Sequence, residues 1–197
     1  MASARVSAIL DAAEAEFAGA GFDGGSLRRI MRQAGVDTGA VHYHFGGRQA
    51  LAEAVLDRIL VPLNARRRAL LAEAVSAGRP NVSQLVEALI RPDIETAHEL
   101  EGQSPGRARL IGAIYTRPSD FVTATVAAHF APVADAFRPH LEAELPHLPF
   151  GDVAWRVRWC MFGTIGSLLS DESAPFARPA EDLVHELVQT LTAAISA

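Results

Sequence analysis

Apolar residues recur along the chain at steps of three and four, and no stretch sustains the every-second-residue alternation of a half-buried strand. The pattern predicts an all-α protein. Val6, Ile9, Leu10, Ala13 and Phe17 gather on one side of a helix over about 3–20, with Asp11, Glu14 and Glu16 largely off it. "GAGFDGG" ends that helix, because glycine tolerates the left-handed backbone of helix termini. Ser26 stands at an N-cap position, and Leu27, Ile30, Met31 and Ala34 form the inward side of a second helix. Gly35-Val36-Asp37 makes a tight turn. Asp37 then caps a short third helix from Thr38 to about Phe45, with Val41 and Phe45 turned inward.

A fourth helix opens near Arg48 and carries Leu51, Val55, Ile59 and Leu63 at steps of four. Pro62 should kink or break it, since proline lacks the N–H of the helical ladder. The helix resumes through "RRRALLAEAV" and stops at Gly78. Further helical segments are predicted at about 82–101, 106–117, 119–145, 150–172 and 179–196, separated by "EGQSPG", "TRPS", "LPHLPFGD" and "SAPFARP". Pro179 at a first turn, followed by Glu181 and Asp182, marks the start of the last one.

Composition changes this picture little. With 197 residues and 49% hydrophobic content the chain can bury a sizeable core. A single cysteine, Cys160, rules out an internal disulfide and suits a reducing cytoplasm. The N-terminus lacks an export core, and "CMFGTIGSLL" is well short of the roughly 18 residues of a membrane span. The expectation is a cytoplasmic protein with no membrane partner. Charge does change the picture. Residues 1–68 hold nine arginines against seven acids, and the remainder holds nine against sixteen, within a net charge of −5. A mildly basic front and an acidic back predict two units with different partners: residues 1–47, a connecting helix over 48–77, and residues 78–197.

Two short helices joined by a glycine-containing turn make a helix-turn-helix, whose second helix enters the DNA major groove with its N-terminal residues nearest the bases. With Val41 and Phe45 inward, Thr38, Gly39, His42, Tyr43 and His44 are left facing out. Small residues at Gly39 and Ala40 let the backbone come close to a duplex. Ser26, Arg28 and Arg29 at the start of the preceding helix and Arg48 at the start of the next flank this surface. Residues two apart on a helix point about 200° apart, so His42 and His44 are poorly placed to share a metal. No nucleophile and orienting acid accompany them for catalysis. A DNA-facing edge is the better reading.

The stretch "SAILDAAEAEFAGAGFDGGSLRRIMRQAGVDTGAVHYHFGGRQALAEAVL" resembles the DNA-binding domain of the tetracycline-repressor (TetR) family of bacterial regulators. The shared pattern is "I-L-D-A-A-x-x-x-F-x-x-x-G-F", then "A-G-V-x-x-G-A-V-x-Y-H-F", then a basic residue and "A-L". The resemblance implies recognition contacts at Thr38, Gly39 and His42, phosphate contacts from Tyr43, His44 and Arg48, and a DNA contact from Arg28. Where family members often have "P-S-K-E", this chain has Gly46-Gly47-Arg48-Gln49, which predicts a more flexible loop. The implied function is a non-enzymatic, ligand-responsive regulator, most often a repressor, that binds a palindromic double-stranded operator without a cofactor.

Beyond residue 69 the segment "VAWRVRWCMFGTIGSLL" mixes Trp155, Trp159, Met161 and Phe162 with Gly163 and Gly166, as helix–helix interfaces do. The last helix repeats Leu183/Val184, Leu187/Val188, Leu191 and Ile195 on one stripe. Met by their symmetry mates, the two helices would form a four-helix bundle. Trp155, Phe162, Gly166, Leu183, Leu187, Val188 and Leu191 are therefore the expected homodimer residues; the alternative is that both stripes are buried within the monomer. The family resemblance also implies a small, largely apolar effector held by the preceding helices. Its candidate lining is His98, Tyr115, Phe121, Phe130, Trp159 and Phe162, each also readable as plain core or surface. A rival, metal-dependent reading would draw on His140, Glu144 and His147.

Overall fold

Every regular element is a helix, as the periodicity predicts, in a computed structural model that describes residues 2–37, 39–103, 108–116, 119–169 and 178–197. In chain order these are α1 (Ala2–Gly24), α2 (Leu27–Ala34), α3 (Gly39–Phe45), α4 (Arg48–Ser76), α5 (Val82–Gln103), α6 (Arg109–Thr116), α7 (Asp120–Glu144), α8 (Phe150–Leu169) and α9 (Ala180–Ser196). The apolar stripe of α1 buries Ile9, Ala13 and Phe17 completely. Its helical backbone breaks at Gly21, at φ 73° and ψ 167°, and one more turn runs on to Gly24. That turn brings Phe22 back against Phe17, with ring centroids 4.9 Å apart.

Pro62 does not break α4, which runs unbroken from Arg48 to Ser76. The reason lies in the stripe that passes it. Leu51, Val55, Leu56, Ile59, Leu60, Leu63 and Leu71 are all buried on both sides of the proline, while Pro62 itself faces solvent. A helix-interior proline costs about 3 kcal/mol. Each buried Leu or Ile contributes roughly 1.5–3 kcal/mol, so continuing the helix through the proline is the cheaper solution.

The long helices form the body. α4 packs on α5 and α7, and α9 lies along α5 in the most extensive pairing of the chain. Leu183, Val184, Val188, Leu191 and Ile195 are buried there, and Leu187 is half-buried against the same core. The α9 stripe, Leu183, Val188 and Leu191 included, is thus largely covered within its own subunit. The front and the body also touch directly, because α1 packs against α6.

Candidate nucleic-acid interface

The turn between α2 and α3 is built by local chemistry. Gly35 sits at φ 65° and ψ 32°, a left-handed conformation that only glycine adopts without strain, and its N–H reaches the Met31 and Arg32 carbonyls. Val36 N–H closes on the Met31 carbonyl at 3.1 Å. Asp37 Oδ1 then accepts the Gly39 and Ala40 N–H groups at 2.9 and 3.1 Å, the capping expected from sequence. Val41 is fully buried, which fixes the rotation of α3. Gly39 and His42 are left exposed, and Tyr43 keeps 85% of its surface open. His44 is half-buried and meets the Tyr43 ring edge-on, with centroids 4.9 Å apart. Ala40 is half-buried against the core, so it shapes this face from behind. Thr38 lies outside the described residues.

The α3–α4 connection is a defined turn. Gly46 and Gly47 hold φ values of 83° and 151°, conformations that side chains rarely adopt. Both positions therefore have a geometric requirement for glycine.

The flanking arginines divide. Arg28 is exposed and makes no ion pair among the described residues. Arg29 instead grips Glu16 of α1, its Nε 2.9 and 3.0 Å from the two carboxylate oxygens and its Nη2 2.6 Å from one of them. Glu16 also accepts the Ser26 N–H at 2.8 Å, and Ser26 Oγ caps α2 by accepting the Arg29 N–H at 3.4 Å. The bond from Arg29 holds the Glu16 carboxyl below its ordinary range against the opposing effect of burial. Arg48, expected at DNA phosphate, turns its guanidinium onto the Phe22, Asp23 and Gly25 carbonyls, with the Asp23 contact at 2.8 Å. Ser26, Arg29 and Arg48 therefore latch α1, α2 and α4 together. Arg48 is drawn inward because the carbonyls after the Gly21 break have no helical partner, and Arg29 is drawn inward by the Glu16 carboxylate. Arg32, in the last turn of α2, is exposed beside Arg28 and was not singled out from sequence.

In the body the sequence-predicted effector residues scatter. Trp159 and Phe162 stand 55% and 50% exposed on the outer side of α8, away from any core, and Trp155 is 64% exposed on the same side. Their spacing puts all three in one row with Gly163 and Gly166, which are also exposed. His98 ties α5 to the segment leading into α9, with Nδ1 2.9 Å from the Ile94 carbonyl of its own helix and Nε2 3.2 Å from that of Arg178. Tyr115, Phe121 and Phe130 are half-buried and packed on the core. A groove of about 370 Å³ between α1, α4 and α5 is lined by none of these six residues; Arg58, Pro62, Pro92 and Glu99 lie along it. Glu144 is engaged by Arg79 at 2.5 Å, and no group of three metal-binding side chains occurs among the described residues.

Sequence reasoning missed the most unusual feature of the body. Arg67, the middle arginine of the "RRR" run through which α4 continues, is completely buried, and so is Asp93. Arg67 Nη2 is 2.5 Å from Asp93 Oδ2, Nη1 is 2.6 Å from Asn64 Oδ1, and Nε donates to the Leu89 carbonyl at 2.9 Å. The guanidinium lies over the Phe130 ring, 5.6 Å from its centroid, and its charge also acts on the Tyr115 hydroxyl. Burial pushes that hydroxyl up to about 12, and it raises the Asp93 carboxyl despite the opposing pull of Arg67. A signal was present in the sequence. Arg67 falls four residues after Leu63 and four before Leu71, and Asp93 falls midway between Leu89 and Ala97, each on a buried stripe.

A short capped helix that presents Gly39, His42 and Tyr43 from a helix-turn-helix, joined to a larger helical body, defines a DNA-binding regulator. The profile of bacterial regulatory proteins of the tetR family matches residues 9–55, and that of the tetracyclin repressor-like C-terminal domain matches residues 87–197. The chain belongs to the TetR family of helix-turn-helix transcriptional regulators, whose members bind DNA and form dimers. Among solved structures it is similar to the fatty acid degradation regulator FadR from Bacillus halodurans. That pair has 13% identity and a TM-score of 0.71, over 95% of this chain and 94% of that chain. A transcriptional regulator from Rhodococcus sp. Rha1 has 21% identity and a TM-score of 0.61, over 97% of this chain and 94% of that one. These likenesses show the fold. None of the curated proteins matches the chain. No helix among the described residues is long and apolar enough to cross a membrane.

Proposed function

We propose that the protein is a homodimeric, effector-responsive repressor that reads a palindromic operator through the face of α3. The observation that carries this reading is the outward row Gly39, His42 and Tyr43, held rigidly by the Asp37 cap in front and buried Val41 behind. His42 reads base edges. Tyr43 and His44 contact backbone. Arg28 and Arg32 supply the phosphate charge, since Arg29 and Arg48 are engaged within the protein. Residues 1–47 act as the reading head, 48–77 as the connector and 78–197 as the effector and dimer unit.

Pairing runs through α8, where Trp155, Trp159 and Phe162 flank Gly163 and Gly166 in one exposed row. Aromatic rings left open beside small residues suit close approach of a second copy. A dimer places the two reading heads about 34–36 Å apart, one helical turn of DNA. An effector that favours a different spacing lowers operator affinity by its differential affinity for the two states, and a factor of about 100 needs only about 2.7 kcal/mol.

Fluorescence anisotropy on a selected palindromic duplex tests the reading head. His42→Ala changes which operator is preferred, while Arg28→Ala weakens all duplexes and lowers the salt slope by about 0.9. Equal losses on every sequence with His42→Ala would remove it from base reading.

A further inference from the structure

Arg67 and Asn64 of α4, Asp93 of α5 and Tyr115 of α6 bring three helices to one point. Asn64 Nδ2 extends the cluster by donating to the His129 carbonyl of α7 at 2.9 Å. Its accounts do not close. Each guanidinium nitrogen has a partner, at Leu89, Asn64 or Asp93, but Asp93 Oδ1 is buried with no hydrogen-bond partner. An orphaned buried carboxylate oxygen is rare in folded proteins. Neutralising Asp93 is no remedy, since Arg67 would then be a buried cation without a counter-charge. The open position is therefore an acceptor that lacks a donor. The Phe130 ring lies against the guanidinium, and both Phe130 and Tyr115 are half-buried.

We propose that Asp93 Oδ1 is the polar anchor of the effector, and that the effector is an apolar molecule carrying a hydrogen-bond donor, an amine or an alcohol, rather than a carboxylate. The inference rests on the reading of the protein as effector-responsive and names the ligand class of that response. Its position suits a switch. Tyr115 lies on α6, and α6 packs against α1 of the reading head, while Arg67 lies on α4, which runs directly out of it. A donor on Asp93 Oδ1 sits beside the Arg67 bond to Oδ2 and so bears on both connections to the DNA-binding face.

Calorimetric titration of the full-length protein with octylamine, octan-1-ol and octanoate tests this, because the three probes share one alkyl chain and differ only at the polar end. Octylamine is expected to bind at one site per subunit at least tenfold tighter than octanoate, with octan-1-ol between them. Asp93→Asn turns the open acceptor into an amide donor, so octylamine should weaken at least tenfold and octanoate should draw level or ahead. Glu99→Gln, in the separate groove, leaves the wild-type order unchanged. Should Asp93→Asn fail to fold, the wild-type ranking decides by itself. Octanoate binding as tightly as octylamine, no binding by any probe, or loss of binding in Glu99→Gln would overturn the anchor. None of these titrations contains DNA. Failure to bind any operator with the probe ranking intact sinks the functional reading, whereas operator binding with the wrong ranking sinks only the anchor.

Discussion

Replacing Arg48 separates two jobs that one side chain was asked to do. As a phosphate contact, it would contribute to DNA affinity and little to folding. In the structure its guanidinium forks across the Phe22, Asp23 and Gly25 carbonyls, where α1 ends without helical partners. A hydrogen bond to a charged group contributes about 1.5–3 kcal/mol, and a cation at a helix C-terminus adds roughly 0.3–1 kcal/mol. Arg48 is partly exposed and the three bonds share one side chain, so they do not add. A loss of roughly 2–4 kcal/mol is expected for Arg48→Met, which keeps the apolar stem. For a chain of this size that lowers Tm by about 4–16 °C. Arg48→Lys keeps the charge but cannot fork, so it should lose most of the same stability. Thermal melts paired with DNA titrations at several salt concentrations give both readouts. The log–log salt slope should stay within about 0.3 of wild type, against a drop of about 0.9 for a lost phosphate contact. An unchanged Tm in Arg48→Met, together with a slope lower by about 0.9 and a normal Arg48→Lys, would refute the latch and restore the phosphate role.

Other outcomes follow from the same geometry. Arg29 holds the Glu16 carboxyl below its ordinary value of 4.5, so the latch is complete above that pH and is lost as pH falls through the lowered value. Denaturant melts at a series of pH values should therefore show wild type losing stability below about pH 4.5 more steeply than Glu16→Gln, and parallel curves would contradict this. A Cβ at Gly25 would come within 2.7 Å of the Phe17 ring, so Gly25→Ala should cost about 1–3 kcal/mol in urea melts although no polar group is lost. Trp159→Glu introduces charge into the exposed row of α8 and should shift sedimentation equilibrium at micromolar protein toward monomer with little change in Tm. An unchanged dimer would exclude this face.

Much of the front of the molecule was legible because its determinants are local. Ser26, Gly35 and Asp37 act on backbone groups within three or four residues, so their caps and turn can be read from spacing alone. Val41 and Phe45 fix which side of α3 faces out for the same reason. The latches were not legible. Arg29 meets Glu16 across 13 positions, and Arg48 reaches carbonyls 23 to 26 positions away, distances at which charge type says nothing about partner. From sequence alone, an arginine beside a DNA-reading helix and an arginine holding that helix in place look identical.

The same division runs through the body. Its helices are fixed by periodicity, to within a few residues of the ends, because hydrophobic stripes and breakers act along the chain. Whether a stripe faces its own core or a second copy is a different matter, and here α9 is covered by α5 while the aromatic row of α8 is left open. Pro62 obeys the packing on either side of it rather than its own preference. Arg67 and Asp93 are the sharpest case: 26 residues apart, each is a costly charge to bury alone, and only the meeting of α4 and α5 gives each its counter-charge. The amino-acid order determined the helices, their caps and the outward face of the reading element, since all of these are settled within a few turns of backbone. Tertiary contact decided which charges are free for a partner, because desolvation and pairing depend on what the fold brings alongside.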